Sequence, residues 1–455
     1  MKTIARHVAF ILFWTIPLGM SAAPASSQTA STAPSDGQHP LLEALKSPNE
    51  GIRAKAAREL GKTGDITLIP ALANALKDPS EKVRREAVIS LSGLHSPQSV
   101  DAMVLATKDT DPDVRVVAVQ CLVAYYTGET PTGGFTGLMK KGWQRAKSRF
   151  VAKDTHVDPG VTADPKAITA LIEAMQDTRS IEAAREAAKG LGTLMARNAV
   201  PELVKAAHST DRPLAIEALE ALALIEDRSA GPQLMDMLDS KNAELRREAL
   251  MVIGILRVKQ ALPKLQTVVE TDADPKAREK ALEGLAYLGD PVSLPIFIKF
   301  LWDQDANFRA SAAEGMGRVR DMMVISEVER ALSIEKDGEA QLAMQFALTS
   351  LGKEEYLGSL VEALGSRTRH IIARGYLVEL TRDPHFRNKL YAYLNHKDAS
   401  VRKGLCSVLM YSGDQGSLSH LERMSHDQEG AVASEALRAA RAIRLRLATG
   451  GGIPK

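Results

Sequence analysis

A 31-residue repeat runs through most of this 455-residue chain and restricts its fold more than any other feature. Asp78-Pro79-Ser80-Glu81-Lys82-Val83-Arg84-Arg85-Glu86-Ala87 aligns with Ser240-Lys241-Asn242-Ala243-Glu244-Leu245-Arg246-Arg247-Glu248-Ala249, and the first arginine of each serves as an anchor. The anchors fall at Arg53, Arg84, Arg115, Ala184, Ala215, Arg246, Arg278, Arg309, Ala340, Ile371, Arg402 and Ala433. Successive gaps are 31 residues, apart from one of 32 and one of 69. The long gap equals one repeat plus 38 residues, so twelve repeats follow, with one insertion between the third and fourth.

Three residues after the anchor stands alanine in ten repeats, from Ala56, Ala87 and Ala118 to Ala343 and Ala436; Arg374 and Leu405 are the exceptions. Seven residues after it every repeat is apolar, from Leu60 to Ala440. Together with the apolar residue before the anchor, such as Val83, Val114 or Phe308, these positions share one helical face. Alanine there lets a neighbouring helix approach closely, and the larger residue one turn later fills the groove.

Another helix is predicted to open fourteen or fifteen residues before the anchor, often at proline, as at Pro70, Pro201, Pro232, Pro263 and Pro295. Asp78-Pro79, Asp111-Pro112 and Asp274-Pro275 are expected to stop the first helix and cap the second. Gly61, Gly93, Gly192, Gly254 and Gly317 are expected to allow the turn back. One hairpin cannot bury its apolar face alone, so the units must stack. The prediction is an all-α, right-handed α-solenoid of about twelve 31-residue helical hairpins with one insertion.

Composition agrees, with 4% aromatic against 45% hydrophobic residues, as close-packed small helices require. Lys2 and Arg6 precede an apolar run from Val8 to Met20 and then Ala23-Pro24-Ala25, the pattern of a secretory leader. Cleavage is expected after Ala25, which makes the protein periplasmic or secreted. Removing Lys2 and Arg6 from the 58 basic residues leaves 56, equal to the acidic count, and this balance argues against a nucleic-acid partner. Cys121 and Cys406 lie eight repeats apart in apolar stretches and are expected to stay unpaired. The expected organisation is a leader over 1–25, a linker over 26–39, repeats 1–3 over 40–127, a basic insertion over 128–164, repeats 4–12 over 165–448 and a tail over 449–455.

The unit Ala-Leu-Lys-Asp-Pro-Ser-Glu-Lys-Val-Arg-Arg-Glu-Ala at Ala75 to Ala87 resembles the bacterial HEAT repeats of the phycobilisome-lyase type, over about nine tenths of the chain beyond the leader. The resemblance implies a HEAT-like superhelix. It carries no chemistry, because that family spans pigment lyases, adaptors and envelope proteins sharing only a scaffold. HEAT-like deoxyhypusine hydroxylases take iron ligands from His-Glu dipeptides, and this sequence contains none. HEAT-like DNA glycosylases act on intracellular DNA, which a leader places out of reach.

From Thr130 to Lys153 the insertion holds Lys140, Lys141, Arg145, Lys147, Arg149 and Lys153 with no acid. Met139, Trp143, Ala146 and Phe150 recur at helical spacing. Such a segment suits an anionic membrane surface or a partner's groove, whereas Trp143 and Phe150 would otherwise pack on the solenoid. Tyr376, Tyr391, Tyr393 and Tyr411 could form an aromatic recognition surface on the inner face, although packing in place of missing alanines is the preferred reading. The anchor arginines are read as structural, pairing with acids six residues before anchors, such as Asp78, Asp109, Asp272 and Asp303. His370, His385, His396, His420 and His426 crowd the last third without metal-ligand spacing and are read as surface residues. No catalytic residue, cofactor or metal ligand is assigned.

The expected function is therefore an exported HEAT-repeat scaffold or adaptor that binds a protein partner in the cell envelope, not an enzyme. The alternatives are an accessory lyase or chaperone-like factor acting on a protein-bound prosthetic group, and a peripheral membrane organiser.

Overall fold

A computed structural model of the protein describes residues 40–128, 159 and 161–448. Among them there are only helices and turns, and every anchor sits on a helix. These second helices span Glu50–Lys62, Glu81–Gly93, Pro112–Thr127, Ile181–Thr193, Arg212–Ile225, Ala243–Ile255, Pro275–Leu288, Ala306–Val319, Gly338–Ser350, His370–Leu380, Ala399–Ser412 and Gly430–Ala448. A shorter first helix precedes each, so the described residues form an all-α solenoid of twelve hairpins.

Asn49, Asp111, Asp211, Asn242, Asp274, Asp305, Asp337 and Asp398 cap second helices by accepting backbone N–H groups with their side chains. Each such cap is worth about 1 kcal/mol. Asp78 departs from the expectation. Ser80 occupies the cap position, and the Asp78 carboxylate instead takes the Arg53 guanidinium and the Ser80 N–H. The first helices open at proline as predicted, at Pro70, Pro201, Pro263 and Pro295, each after a short 3-10 turn. Repeat 6 differs. Arg228–Asp239 is wound as 3-10 helix throughout, with Pro232 inside it, whereas Pro201 and Pro263 in the same column are followed by α-helix.

The alanines three residues after the anchors are buried, from Ala56 to Ala436, as are the residues seven after them in every repeat but the tenth. In repeat 10 the buried residues are Ala373 and Leu377, whereas Arg374 and Val378 are half-buried. The register there is one residue earlier than read, with His370 in the anchor place. Ala373 then supplies the alanine that seemed to be missing, and Leu405 is the one real exception.

The glycines correct a second expectation. Gly61, Gly192, Gly254 and Gly317 lie inside second helices where the next second helix comes closest. A Cβ on Gly254 would stand 2.3 Å from Gly284 Cα, and one on Gly192 would stand 2.6 Å from Ala221 Cα. Their task is close approach. The turn back is made by left-handed residues further on, among them His95, Met195, Arg257 and Arg320.

Candidate interaction surfaces

The anchor arginines form a ladder along the links between hairpins. Arg84 donates to the backbone carbonyls of Asp78 and Pro79, then bidentately to the Asp109 carboxylate of the next repeat at 2.8 Å and 2.8 Å. Arg53 with Asp78, Arg309 with Glu335, and Arg402 with Asp427 repeat the bidentate clamp. Arg115 reaches Asp177 at 3.8 Å, so repeats 3 and 4 stack directly although the insertion separates them in sequence. The Tyr126 hydroxyl accepts the Asp164 N–H at 3.1 Å and closes the base of that excursion. Hydrogen bonds from their arginines hold Asp78, Glu335 and Asp427 below the usual carboxylate range. The ladder is structural, its charges meeting one another except at Arg278, which donates to the Val269 carbonyl at 3.1 Å and lies 5.6 Å from the Phe308 ring centroid instead of pairing with Asp303.

A second polar seam lies on the second helices of repeats 7 to 10. The Arg318 side chain is 5% exposed and lies 4.7 Å from the centroid of the Tyr287 ring. It donates to Glu379 at 3.0 and 3.1 Å and to Glu314 at 3.2 Å. Glu314 also accepts the Tyr376 hydroxyl at 2.6 Å. Burial pulls the Arg318 guanidinium down, but the carboxylates of Glu379 and Glu314 outweigh it and raise its pKa. This strut joins repeat 8 to repeat 10 past repeat 9.

Tyr376 is thus no part of an exposed recognition surface. It is 1% exposed and stacked on Phe346 at 4.4 Å, because the shifted register of repeat 10 turns it into the core. Tyr391 and Tyr393 are half-buried at the end of the first helix of repeat 11, away from Tyr376 and Tyr411 on second helices. Tyr391 stacks on His420 at 3.8 Å and shares a 2.8 Å hydrogen bond with Ser417. Lys140, Lys141, Trp143, Arg145, Lys147, Arg149 and Phe150 lie outside the described residues. Cys121 and Cys406 are buried free thiols, each pushed up to about 12 by burial.

The periodicity passed over a more conspicuous surface. Of twelve exposed large hydrophobic residues among the described residues, six belong to repeats 8 and 9: Val292, Ile298, Trp302, Met322, Met323 and Ile334. Val292 and Met323 occupy the same place in successive 3-10 turns, and Met323 is 88% exposed. Trp302 donates its indole N–H to Glu327 at 2.6 Å, and Arg330 covers its ring at 4.8 Å. The Met-Met pair after Asp321 was the available signal, since a turn that needs no apolar side chain carries two.

Comparison with known proteins fits this architecture. HEAT repeats are matched over residues 39–123, 168–254 and 231–316, more than half of the chain, and the chain belongs to the HEAT-repeat family. By sequence no curated protein matches. Among solved structures, the complex of CpcE and CpcF of phycocyanin lyase from Nostoc sp. PCC7120 is 19% identical, covering 55% of this chain and 94% of that one, with a TM-score of 0.35. An engineered protein is 18% identical over 89% of this chain and 98% of its own, with a TM-score of 0.38. The karyopherin Kap121p, bound to the extreme C-terminus of the protein phosphatase Cdc14p, is 14% identical over 89% and 49%, with a TM-score of 0.39. Scores this low transfer no activity.

Proposed function

We propose that the protein is an exported scaffold or adaptor that holds a protein partner in the cell envelope, with repeats 8 and 9 as the contact surface. The observation that carries this reading is the crowding of half the exposed large hydrophobic residues among the described residues onto two of twelve repeats. Apolar side chains concentrated in solvent on neighbouring repeats mark association sites, and a tryptophan held in place by Glu327 and Arg330 is an anchor of the type that dominates binding energy, with exposed methionines on the same two repeats to adapt to a partner. The insertion, with Trp143, Phe150 and their basic neighbours, adds a second contact in this reading. Export is supported by Lys2, Arg6, the apolar run to Met20 and Ala25.

Capture from native envelopes tests the surface with three proteins: the mature chain, the double variant Met323→Asp and Ile334→Asp, and a chain with Thr130 to Asp164 replaced by a Gly/Ser linker. The expected result is one partner set lost with the double variant, at an unchanged unfolding midpoint. Partners kept by the double variant and lost with the linker would move recognition to the insertion and sink the assignment to repeats 8 and 9. Export is tested by N-terminal sequencing after cell fractionation, where a mature chain beginning at Ser26 is expected and a cytoplasmic chain retaining Met1 would overturn it.

A further inference from the structure

The link edge carries the same inter-repeat groove at two places, three repeats apart, with opposite chemistry. Between repeats 8 and 9 it is a cavity of about 260 Å³ lined by Trp302, Arg309, Ile334 and Glu335. Between repeats 11 and 12 it is a cavity of about 470 Å³ lined by Lys397, Arg402, His420, Arg423, His426 and Asp427, with Tyr391 and His396 beside them. Counted from the anchors Arg309 and Arg402, Arg423 stands where Arg330 stands, and His420 stands where Glu327 stands. His396 and His426 likewise replace Asp303 and Ser333.

That exchange of glutamate for histidine changes what the arginine can do. Arg330 donates to both Glu327 oxygens, at 2.7 and 2.9 Å, so its charge is met. Arg423 donates to His420 Nδ1 at 2.7 Å. A guanidinium has no acceptor, so Nδ1 must accept and the imidazole is neutral with its proton on Nε2. Burial and the Arg423 charge both lower the His420 pKa, in keeping with that state. The stack on Tyr391, itself hydrogen-bonded to Ser417, holds the His420 ring and so positions Arg423. Asp427 is already clamped by Arg402. Among the described residues no carboxylate pairs with Arg423 or Lys397.

We propose that this groove between repeats 11 and 12 binds a phosphomonoester-type dianion. A guanidinium fork held by a neutral histidine, the Lys397 ammonium group and the His426 imidazole form a set suited to tetrahedral oxyanions, His396 being engaged by the Glu362 carboxylate and the Asp398 N–H, and among the described residues two of the set's cations lack a carboxylate. The cavity is roomier than its counterpart, which leaves space for an organic group on the phosphate.

The purified full chain would be titrated with inorganic phosphate and with phosphoserine at constant ionic strength, by calorimetry and by the histidine resonances. The decisive variant is His420→Glu, which rebuilds the Glu327 and Arg330 pairing at this site. We expect saturable binding at one site, weakened at least tenfold by His420→Glu and by Arg423→Gln, and unchanged by Arg330→Gln. Circular dichroism and the unfolding midpoint check that each variant is folded. Tighter binding of phosphoserine would make the organic part a contact, and equal binding would make the free anion sufficient; both sustain the site. Equal binding by the folded His420→Glu protein, displacement by chloride at matched ionic strength, or no saturation at millimolar ligand would overturn it.

Discussion

Repeats 6 and 7 are joined in one way and repeats 9 and 10 in another, although both pairs are built from the same helical hairpin. In the first pair Gly254 meets Gly284 and the second helices touch backbone to backbone. In the second the column that contained Gly284 holds Phe346 and Tyr376, the backbones approach at few places, and a stacked aromatic pair fills the gap. A cavity of about 760 Å³ opens beside it, lined by Gln345, Glu355, Glu362 and Arg369. The strut from Arg318 to Glu379 spans that junction. A repeat array tolerates a wide joint if large side chains and a buried charge network replace backbone contact.

Four outcomes would break or sharpen this contrast. Arg318→Leu has the largest expected effect, about 3–5 kcal/mol, because it removes the buried cation that bridges the carboxylates of Glu314 and Glu379. Urea unfolding followed by tyrosine fluorescence would register it, and a loss under 1 kcal/mol would mean the strut is ornamental. Gly254→Ala comes next at about 1–3 kcal/mol, since the new methyl collides with the Gly284 backbone. Gly93→Ala is its control: a Cβ there meets nothing within 4 Å, so a gain of about 0.5–1 kcal/mol is expected from helix propensity.

The third outcome concerns acid. Asp78, Glu335 and Asp427 have depressed pKa values in the folded chain, so the ladder's stabilisation is complete above the unfolded carboxylate values, near pH 4, and is lost as pH falls through the folded ones. Thermal midpoints should therefore decline steeply below about pH 4, and less steeply in Arg53→Gln, whose Asp78 no longer has its principal partner. An identical slope in the variant would show that the ladder does not set acid sensitivity. The smallest change in stability is predicted for Met323→Asp, within about 0.5 kcal/mol because the side chain stands in solvent. Its effect belongs to partner capture, and a large destabilisation would mean that Met323 packs after all.

Much of the fold was legible because burial in a hairpin array is periodic. Ala87, Leu91 and their equivalents recur at a fixed spacing, and nothing but a stacked helix face requires that. The one-residue slip in repeat 10 was readable in principle, since Ala373 and Leu377 restore the pattern, but an anchor at Ile371 hid it. The candidate surfaces were far less legible. Periodicity marks what is buried, whereas Trp302, Met322 and Met323 are notable for being exposed, and Arg318 meets Glu379 only when repeats 8 and 10 come together.

The amino-acid sequence by itself determined the helical hairpin, the number of its copies and the face each copy buries, because those depend on local spacing and on the alanine that close packing demands. Only the tertiary structure decided how tightly each neighbouring pair closes, which glycines serve contact and which residues make the turns. It also decided which cations meet a carboxylate, as Arg330 does at Glu327, and which meet an imidazole, as Arg423 does at His420. The physical reason is reach: propensity and periodicity act within one hairpin, while charge pairing and close approach depend on residues one or two repeats away.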